Sequence, residues 1–210
     1  MHIQLYGVIV LSGVALGFVS ACVLSHLSGL KKQTVFFTAF LNIFCTLMLS
    51  ILSVIIFSGG REYGLSGLGG AFGLMLGTLV SSYIHGDHPR ELVSSWIVSA
   101  PLMYGVSKLA CFHAGCCSGE FFSLPIQPVV SVTFIAIYII SVIVFIKSKD
   151  KMKAAYLAMI ISFIARAGLD FFHDSHAGKI ITREQILVII AGGIALGIYI
   201  FRSKLPLPKT

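Results

Sequence analysis

The side chains best suited to chemistry lie in one short polar stretch, positions 108–120. Three of the chain's five cysteines fall within seven residues of one another there: Cys111, Cys116 and Cys117. They fit three alternatives: inert small core residues, a disulfide in an oxidising compartment, or metal ligands and reactive thiols. Lys108 and His113 are near enough in sequence to lower the pKa of a thiol. The spacing leaves all three alternatives open.

A second polar stretch begins at Arg166 and continues through Asp170 and His173 to Asp174. Arg166 and Asp170 are four residues apart, so on a helix they share one face. An arginine inside a membrane segment is costly and is usually paired or functional. It is therefore either one half of a structural ion pair or an anchor for a phosphate, which a guanidinium can bind through two parallel hydrogen bonds. A metal site that includes His173 and His176 is a further alternative, but we assign no metal.

A third stretch, residues 59–70, combines Arg61 and Tyr63 with many glycines. Small residues let membrane helices approach each other closely. Free N–H groups at the start of a helix can also face a lipid phosphate. The pattern is compatible with both functions. The candidate lipid-binding residues of this stretch are Arg61, Gly67, Gly69 and Gly70.

The composition defines the solvent around these stretches. Hydrophobic residues make up 57% of the 210 residues and charged residues only 11%, against about 25% charged in soluble domains. A soluble domain of this size could not keep so much apolar surface from water. The composition therefore excludes a soluble globular enzyme, a disordered protein and a disulfide-stapled secreted module.

Seven apolar segments are long enough to cross a membrane, which takes about 20 residues. They cover residues 5–24, 34–57, 65–84, 92–112, 125–146, 154–172 and 184–201. We predict an all-α, polytopic membrane helical bundle with seven transmembrane helices, formed by residues 1–210 as a single integral membrane domain. We expect the first segment to be a retained span, because it lacks a basic n-region and a small-residue cleavage site.

The basic residues predict the orientation. Ten of them fall in the loops and tail on one side: Lys31, Lys32, Arg90, Lys147, Lys149, Lys151, Lys153, Arg202, Lys204 and Lys209. Four fall on the other side: Arg61, Lys108, Lys179 and Arg183. Since Lys and Arg are enriched in cytoplasmic loops, this bias predicts the N-terminus outside and the C-terminus inside. The net charge of +7 is then explained by topology, without nucleic acid as a partner. We then expect the polar stretches at 59–64, 108–120 and 170–183 on the outer side, as a site in that leaflet would be.

In this order, the stretches resemble segments of the prolipoprotein diacylglyceryl transferase family. Residues 63–70 are similar to the family's His-Gly-Gly-Leu-x-Gly-Gly segment, and residues 108–120 to its Gly-Arg-x-Gly-Asn-Phe-x-Asn-Gly-Glu segment. Residues 166–174 (Arg-Ala-Gly-Leu-Asp-Phe-Phe-His-Asp) resemble its Arg-x-x-x-Glu-Phe-Phe-Arg segment. Residues 125–128 and 181–185 resemble its Pro-x-Gln and Leu-Thr-x-x-Gln segments. The resemblance covers positions 59–202.

Several positions depart from that pattern. Tyr63 stands in place of the family's histidine and Lys108 in place of its arginine. Cys111 and Ala114 replace two asparagines, and Cys116 replaces the glutamate. The Gly-Cys-Cys sequence at 115–117 resembles a divergent branch of the superfamily.

The resemblance implies a membrane-embedded transferase in the bacterial cytoplasmic (inner) membrane. Such an enzyme moves a lipid or glyceryl group from an outer-leaflet phospholipid, similar to phosphatidylglycerol, to a lipoprotein-like or other thiol acceptor. No cofactor is implied. The candidate catalytic residues combine cations, bases and a thiol: Tyr63, Lys108, His113, Cys116, Arg166 and His173. Lys108, Arg166 and Asp170 join the glycines as candidate lipid-binding residues. The alternative is a non-catalytic lipid-binding or thiol/metal-binding membrane protein that reuses this fold.

Overall fold

The structure is a computed structural model that describes residues 2–61, 64–86 and 88–174, with residues 185, 186 and 193. Six α-helices and one antiparallel pair of short strands lie within these residues. In chain order they are α1 (His2–Leu27), α2 (Lys32–Ser58), α3 (Gly67–Ile84), α4 (Pro89–Ala114), β1 (Glu120–Phe121), β2 (Leu124–Pro125), α5 (Ile126–Lys147) and α6 (Lys151–Asp170).

Four of these helices, α1, α2, α5 and α6, are long and apolar enough to cross a membrane. A helix rises about 1.5 Å per residue, so about 20 residues match the hydrocarbon core of a bilayer. The prediction of an all-α fold with helices that could cross a membrane is confirmed at this level. The seven spans and the orientation remain predictions. Of the seventh predicted span, 184–201, only residues 185, 186 and 193 are described.

Neither of the remaining two described helices, α3 and α4, is both long and apolar enough to be counted with these four. The helix α3 begins at Gly67 and has 18 residues, at the short end of what spans a bilayer. The helix α4 extends beyond its predicted span at both ends. Its run of apolar residues is interrupted by buried serines. Ser94 donates a hydrogen bond to the Arg90 carbonyl (2.6 Å), and Ser95 donates to the Glu91 carbonyl (2.7 Å). These bonds satisfy the hydrogen-bonding capacity of two buried hydroxyls.

The described residues form two compact units. Residues 18–96 make one unit, in which α2 and α3 pack against each other over much of their length. Inside this pair the Asn42 amide donates to the Thr78 hydroxyl (3.1 Å), and the Ser50 hydroxyl donates to the Ser66 carbonyl (2.8 Å). The described residues of positions 1–17 and 97–210 belong to the other unit. Its core includes Ile126, which is fully buried on α5.

The α2–α3 contact depends on glycine. A Cβ atom at Gly73 would meet the main chain of Cys45 and lie 2.6 Å from the Cα of Thr46. A Cβ at Gly69 would meet Ser53 and the Leu49 carbonyl. Both glycines therefore let two backbones approach within contact distance, the role that small residues play between membrane helices.

We therefore expect Gly73→Ala to destabilise the protein by about 1–3 kcal/mol, because the added methyl overpacks a backbone contact. The measurement is thermal unfolding of the purified protein in detergent. The matched control is Gly67→Ala, since nothing lies within 4 Å of a Cβ built there. Equal stability of the two variants would refute the packing role of Gly73.

Candidate functional site

Three helix ends meet where the polar residues gather: the C-terminal end of α4, the N-terminal end of α5 and the C-terminal end of α6. Residues 115–125 link the first two ends and pair with the third through an antiparallel bridge between Gly119 and His173. The Asp174 N–H donates to the Ser118 carbonyl (2.9 Å), and the Ile126 N–H donates to the Gly119 carbonyl (3.0 Å). The main chain thus fixes this loop to both following helices.

Two features determine the conformation of this loop: a tight hairpin, and a close contact between the loop and the end of α6. The strands β1 and β2 are joined by Phe122 and Ser123, whose φ angles of 47° and 66° are those of a two-residue type I′ turn. Gly119 has φ of 154°, and a Cβ there would meet the Phe172 carbonyl and lie 2.8 Å from the Cα of His173. Only glycine allows the loop to approach the end of α6 this closely.

The three clustered thiols converge on one point. The sulfur atoms of Cys111, Cys116 and Cys117 all lie within 4.8 Å of one another. Cys111 is half-buried in the last turn of α4, whereas Cys116 and Cys117 are exposed in the loop that follows. All five cysteines of the chain are described, and all are free thiols. Cys116 and Cys117 are therefore not inert core residues. Cys22 and Cys45 are half-buried within α1 and α2, in the predicted first and second spans.

Two buried side chains hold the loop that carries these thiols. The Gln127 amide, only 5% exposed, donates to the carbonyls of both Cys116 and Cys117, at 3.0 Å each. The Nδ1 atom of His173 lies 3.1 Å from the Cys117 carbonyl. Since a carbonyl only accepts, Nδ1 must carry the proton there, and in the neutral ring Nε2 is then the basic nitrogen.

The surroundings favour the thiolate form of Cys117. A hydrogen bond from the Cys111 thiol and the positive charge of Lys108 lower the pKa of Cys117 from its ordinary value to about 5, with a smaller contribution from His173, although partial burial opposes the shift. A thiolate, unlike a thiol, is the nucleophilic and metal-binding form of cysteine.

Two cations flank one aromatic ring beside the thiols. The Lys108 ammonium lies 5.5 Å from the centroid of the Tyr104 ring, and the Arg166 guanidinium carbon lies 5.1 Å from the same centroid. Lys108 is 7% exposed. Arg166 also forms the predicted ion pair with Asp170, with Nε to Oδ1 at 3.2 Å. Among the described residues no carboxylate forms an ion pair with Lys108.

Tyr104 and Gln127 are functional candidates that the sequence pattern did not single out. Within the described part of the chain, the buried Tyr104 hydroxyl has no hydrogen-bond partner, and neither does the Gln127 side-chain oxygen. Tyr104 precedes Lys108 by four residues and so shares its helix face, which was the available signal. Gln127 belongs to the Pro-x-Gln segment noted above, but the sequence indicated no contact for it.

The other predicted catalytic or lipid-binding residues outside α3 are His113, Arg61 and Tyr63. His113 is exposed, and its ring packs 5.8 Å from that of Phe112. Arg61 is exposed and belongs to the unit formed by residues 18–96. Tyr63 lies outside the described residues. Of the two candidate bases that are described, only His173 is hydrogen-bonded to the thiol-bearing loop.

The candidate lipid-binding glycines also belong to the unit of residues 18–96: Gly67, Gly69 and Gly70. The N–H groups of Gly69 and Gly70 are already bonded, to the Ser66 hydroxyl (3.2 Å) and the Ser66 carbonyl (2.9 Å). This geometry favours helix packing over a phosphate cradle at these two residues. The role of Gly67 stays a prediction.

No protein-family model matches this chain, and a search of curated proteins finds no significant match. The resemblance to diacylglyceryl transferases therefore remains a prediction from the motifs, and the function has to be argued from the site itself.

The pKa of Cys117 predicts an unusual reactivity profile. Alkylation by iodoacetamide of the reduced, metal-free protein, followed by peptide mass spectrometry, measures the rate at Cys117. Because the thiolate predominates above pH of about 5, we expect the rate to be nearly constant between about pH 6.5 and 8.5. A thiol with an ordinary pKa of about 8.5 becomes roughly tenfold faster per pH unit below that value. A cysteine-containing peptide serves as control, and a tenfold rise per unit at Cys117 would contradict the shift.

Proposed function

We propose that this protein is a membrane-embedded transferase, which moves a glyceryl-linked lipid group from an anionic phospholipid to a thiol acceptor. One observation carries the proposal: Lys108 and Arg166 face the same ring, that of Tyr104, whose buried hydroxyl has no partner among the described residues. Two cations and an unused donor form an arrangement that suits a phosphate group.

The burial of Lys108 supports an anionic ligand. An ammonium group loses several kcal/mol of hydration when it is buried, and a nearby anion offsets part of this cost. The neighbouring cysteines, as thiolates, supply one negative charge near Lys108. A phospholipid phosphate beside Tyr104 would supply a second. Asp170 holds Arg166 in position through their ion pair, so that its planar fork can meet a phosphate oxygen.

Apolar side chains at the same end suit the acyl part of such a ligand. Phe121 stacks edge-on against both Phe122 and Phe172, at 4.7 Å in each case. Phe122 is 84% exposed at the hairpin tip, and Leu124 and Phe172 are also exposed. Aromatic residues concentrate at the level of the lipid headgroups, so a phospholipid bound there would place its phosphate near the cations and its chains along the apolar helices.

The proposed reaction is a single displacement. The acceptor sulfur attacks the diacylglyceryl carbon bonded to the phosphate oxygen. A sulfur–carbon bond forms, the carbon–oxygen bond breaks, and its electron pair leaves with the phosphate as glycerol phosphate. Lys108, Arg166 and the Tyr104 hydroxyl stabilise the negative charge that develops on this leaving group. The proton of the acceptor thiol passes to Nε2 of His173, the ring nitrogen left without a proton when Nδ1 donates to the Cys117 carbonyl.

Lys108→Met tests the phosphate clamp. We expect the release of glycerol phosphate from labelled phosphatidylglycerol, with a cysteine peptide as acceptor, to fall about 10²- to 10³-fold, as when a stabilising donor is lost. Lys149→Met is the matched control, because Lys149 is exposed in the turn between α5 and α6. Equal losses in both variants, or none in either, would refute the clamp.

Tyr104→Phe separates function from structure. It keeps the ring that both cations face and removes only the hydroxyl. Removing a buried hydroxyl without a partner is expected to leave stability unchanged or to raise it, whereas activity should fall about tenfold if the hydroxyl donates to the phosphate in the transition state. Thermal unfolding and glycerol phosphate release are measured on the same preparation. Full activity in this variant would remove Tyr104 from the site.

The convergence of three thiols favours a second candidate, a non-catalytic thiol- or metal-binding membrane protein. The absence of turnover with every phospholipid and thiol acceptor, in a protein that is folded and reduced, would select this candidate over the transferase.

A further inference from the structure

We infer that Cys111, Cys116 and Cys117 together bind one soft divalent metal ion of the zinc class, with a fourth coordination position open to the acceptor thiol. The sequence pattern assigned no metal, so this is a site added by the geometry. The three-thiolate site stands independently of the proposed function, and only the occupant of the fourth position rests on it.

The sulfur atoms are already close to the required arrangement. Zinc binds thiolates at about 2.3 Å and in tetrahedral geometry, which separates two sulfur ligands by about 3.8 Å. The three sulfurs lie within 4.8 Å of one another. To bind the ion, each pair of sulfurs would therefore move closer by about 1 Å at most. Cys116 and Cys117 are exposed, and rotation of their side chains can supply this movement.

The backbone of the loop turns so that Cys116 and Cys117 lie close to Cys111, in the last turn of α4. The Cys116 N–H donates to the Cys111 carbonyl (3.1 Å), and the Cys116 sulfur lies 3.6 Å from the same oxygen. Gly115 and Cys117 have φ angles of 67° and 56°, which reverse the chain so that both loop thiols face Cys111. Such a turn gives Cys117 a left-handed conformation that is uncommon for residues other than glycine, asparagine and aspartate, and strained backbone of this kind is concentrated at binding sites.

The surroundings supply the outer shell that metal sites need. Gln127 fixes the carbonyls of Cys116 and Cys117 from one side, and His173 fixes that of Cys117 from another. Groups that orient ligands in this way contribute about 10- to 100-fold to metal affinity. Lys108 precedes Cys111 by three residues on the same helix face, where its positive charge offsets the negative charge of three thiolates around a divalent ion.

The donor set selects the ion and leaves room for a substrate. Thiolates favour zinc and other soft ions, whereas calcium and magnesium require oxygen ligands. Structural zinc sites use four protein ligands, while catalytic ones use three and keep a position for water or substrate. Within the part of the chain that the structure describes, the cluster offers three ligands. A thiol that enters the fourth position would bind as the thiolate, and its proton would pass to Nε2 of His173, the base of the proposed reaction.

The test uses the full chain, purified in detergent, reduced with a phosphine and stripped of metal with a chelator. In a titration, the protein should bind one equivalent of Co²⁺ and develop a sulfur-to-cobalt charge-transfer absorption. Zn²⁺ should displace the bound Co²⁺ and remove this absorption. Gln127→Ala should weaken binding about 10- to 100-fold, and Cys116→Ser, at an exposed position, should weaken it further. Cys45→Ser is the matched control and should bind as the wild type does. Cysteamine added to the Co²⁺ protein should raise the charge-transfer absorption by about one third, as sulfur ligands increase from three to four.

The outcomes separate the two proposals. The metal site is overturned if the reduced protein binds no Co²⁺, or if Cys116→Ser and Cys117→Ser both bind as tightly as the wild type. The open position is overturned if cysteamine leaves the absorption unchanged. Metal binding without any glycerol phosphate release would overturn the transferase and leave the metal site in place. Turnover that persists in metal-stripped Cys116→Ser protein would overturn the metal's role and leave the transferase in place.

Discussion

The close contact between the main chains of Gly119 and His173 is the constraint on which the site depends. It brings the loop after α4 against the end of α6 and so places Cys117 beside His173. Along the chain these two residues are separated by two whole helices, α5 and α6. A hydrogen-bonded bridge in place of a side-chain contact makes the arrangement independent of rotamers, and the absent Cβ at residue 119 makes it possible.

The side chains of the site come from three helices. The helix α4 contributes the lysine, the tyrosine and the first thiol, while α6 contributes the arginine and its carboxylate partner. The helix α5 contributes Gln127, its second residue. Each of these three helices therefore brings polar side chains to the same end of the site.

The sequence predicted the features that depend on local periodicity. The ion pair of Arg166 and Asp170 follows from a spacing of four residues, and the apolar runs predicted α1, α2, α5 and α6 to within a few residues. It could not predict contacts between distant segments. The approach of Arg166 to the ring of Tyr104 and the double hydrogen bond of Gln127 join distant segments of the chain, and no periodicity encodes them. The glycines of α3 were ambiguous for the same reason, because only the position of α2 distinguishes packing from ligand binding.

The exposure of the site changes sharply over a short distance. The Cys116 and Cys117 side chains are open to solvent, while Lys108 is nearly enclosed. The cluster therefore has an open side, which carries two thiols, and a closed side, which carries a cation. A group from outside would reach the thiols without displacing any part of the protein, whereas a group that reached Lys108 would have to enter between packed side chains.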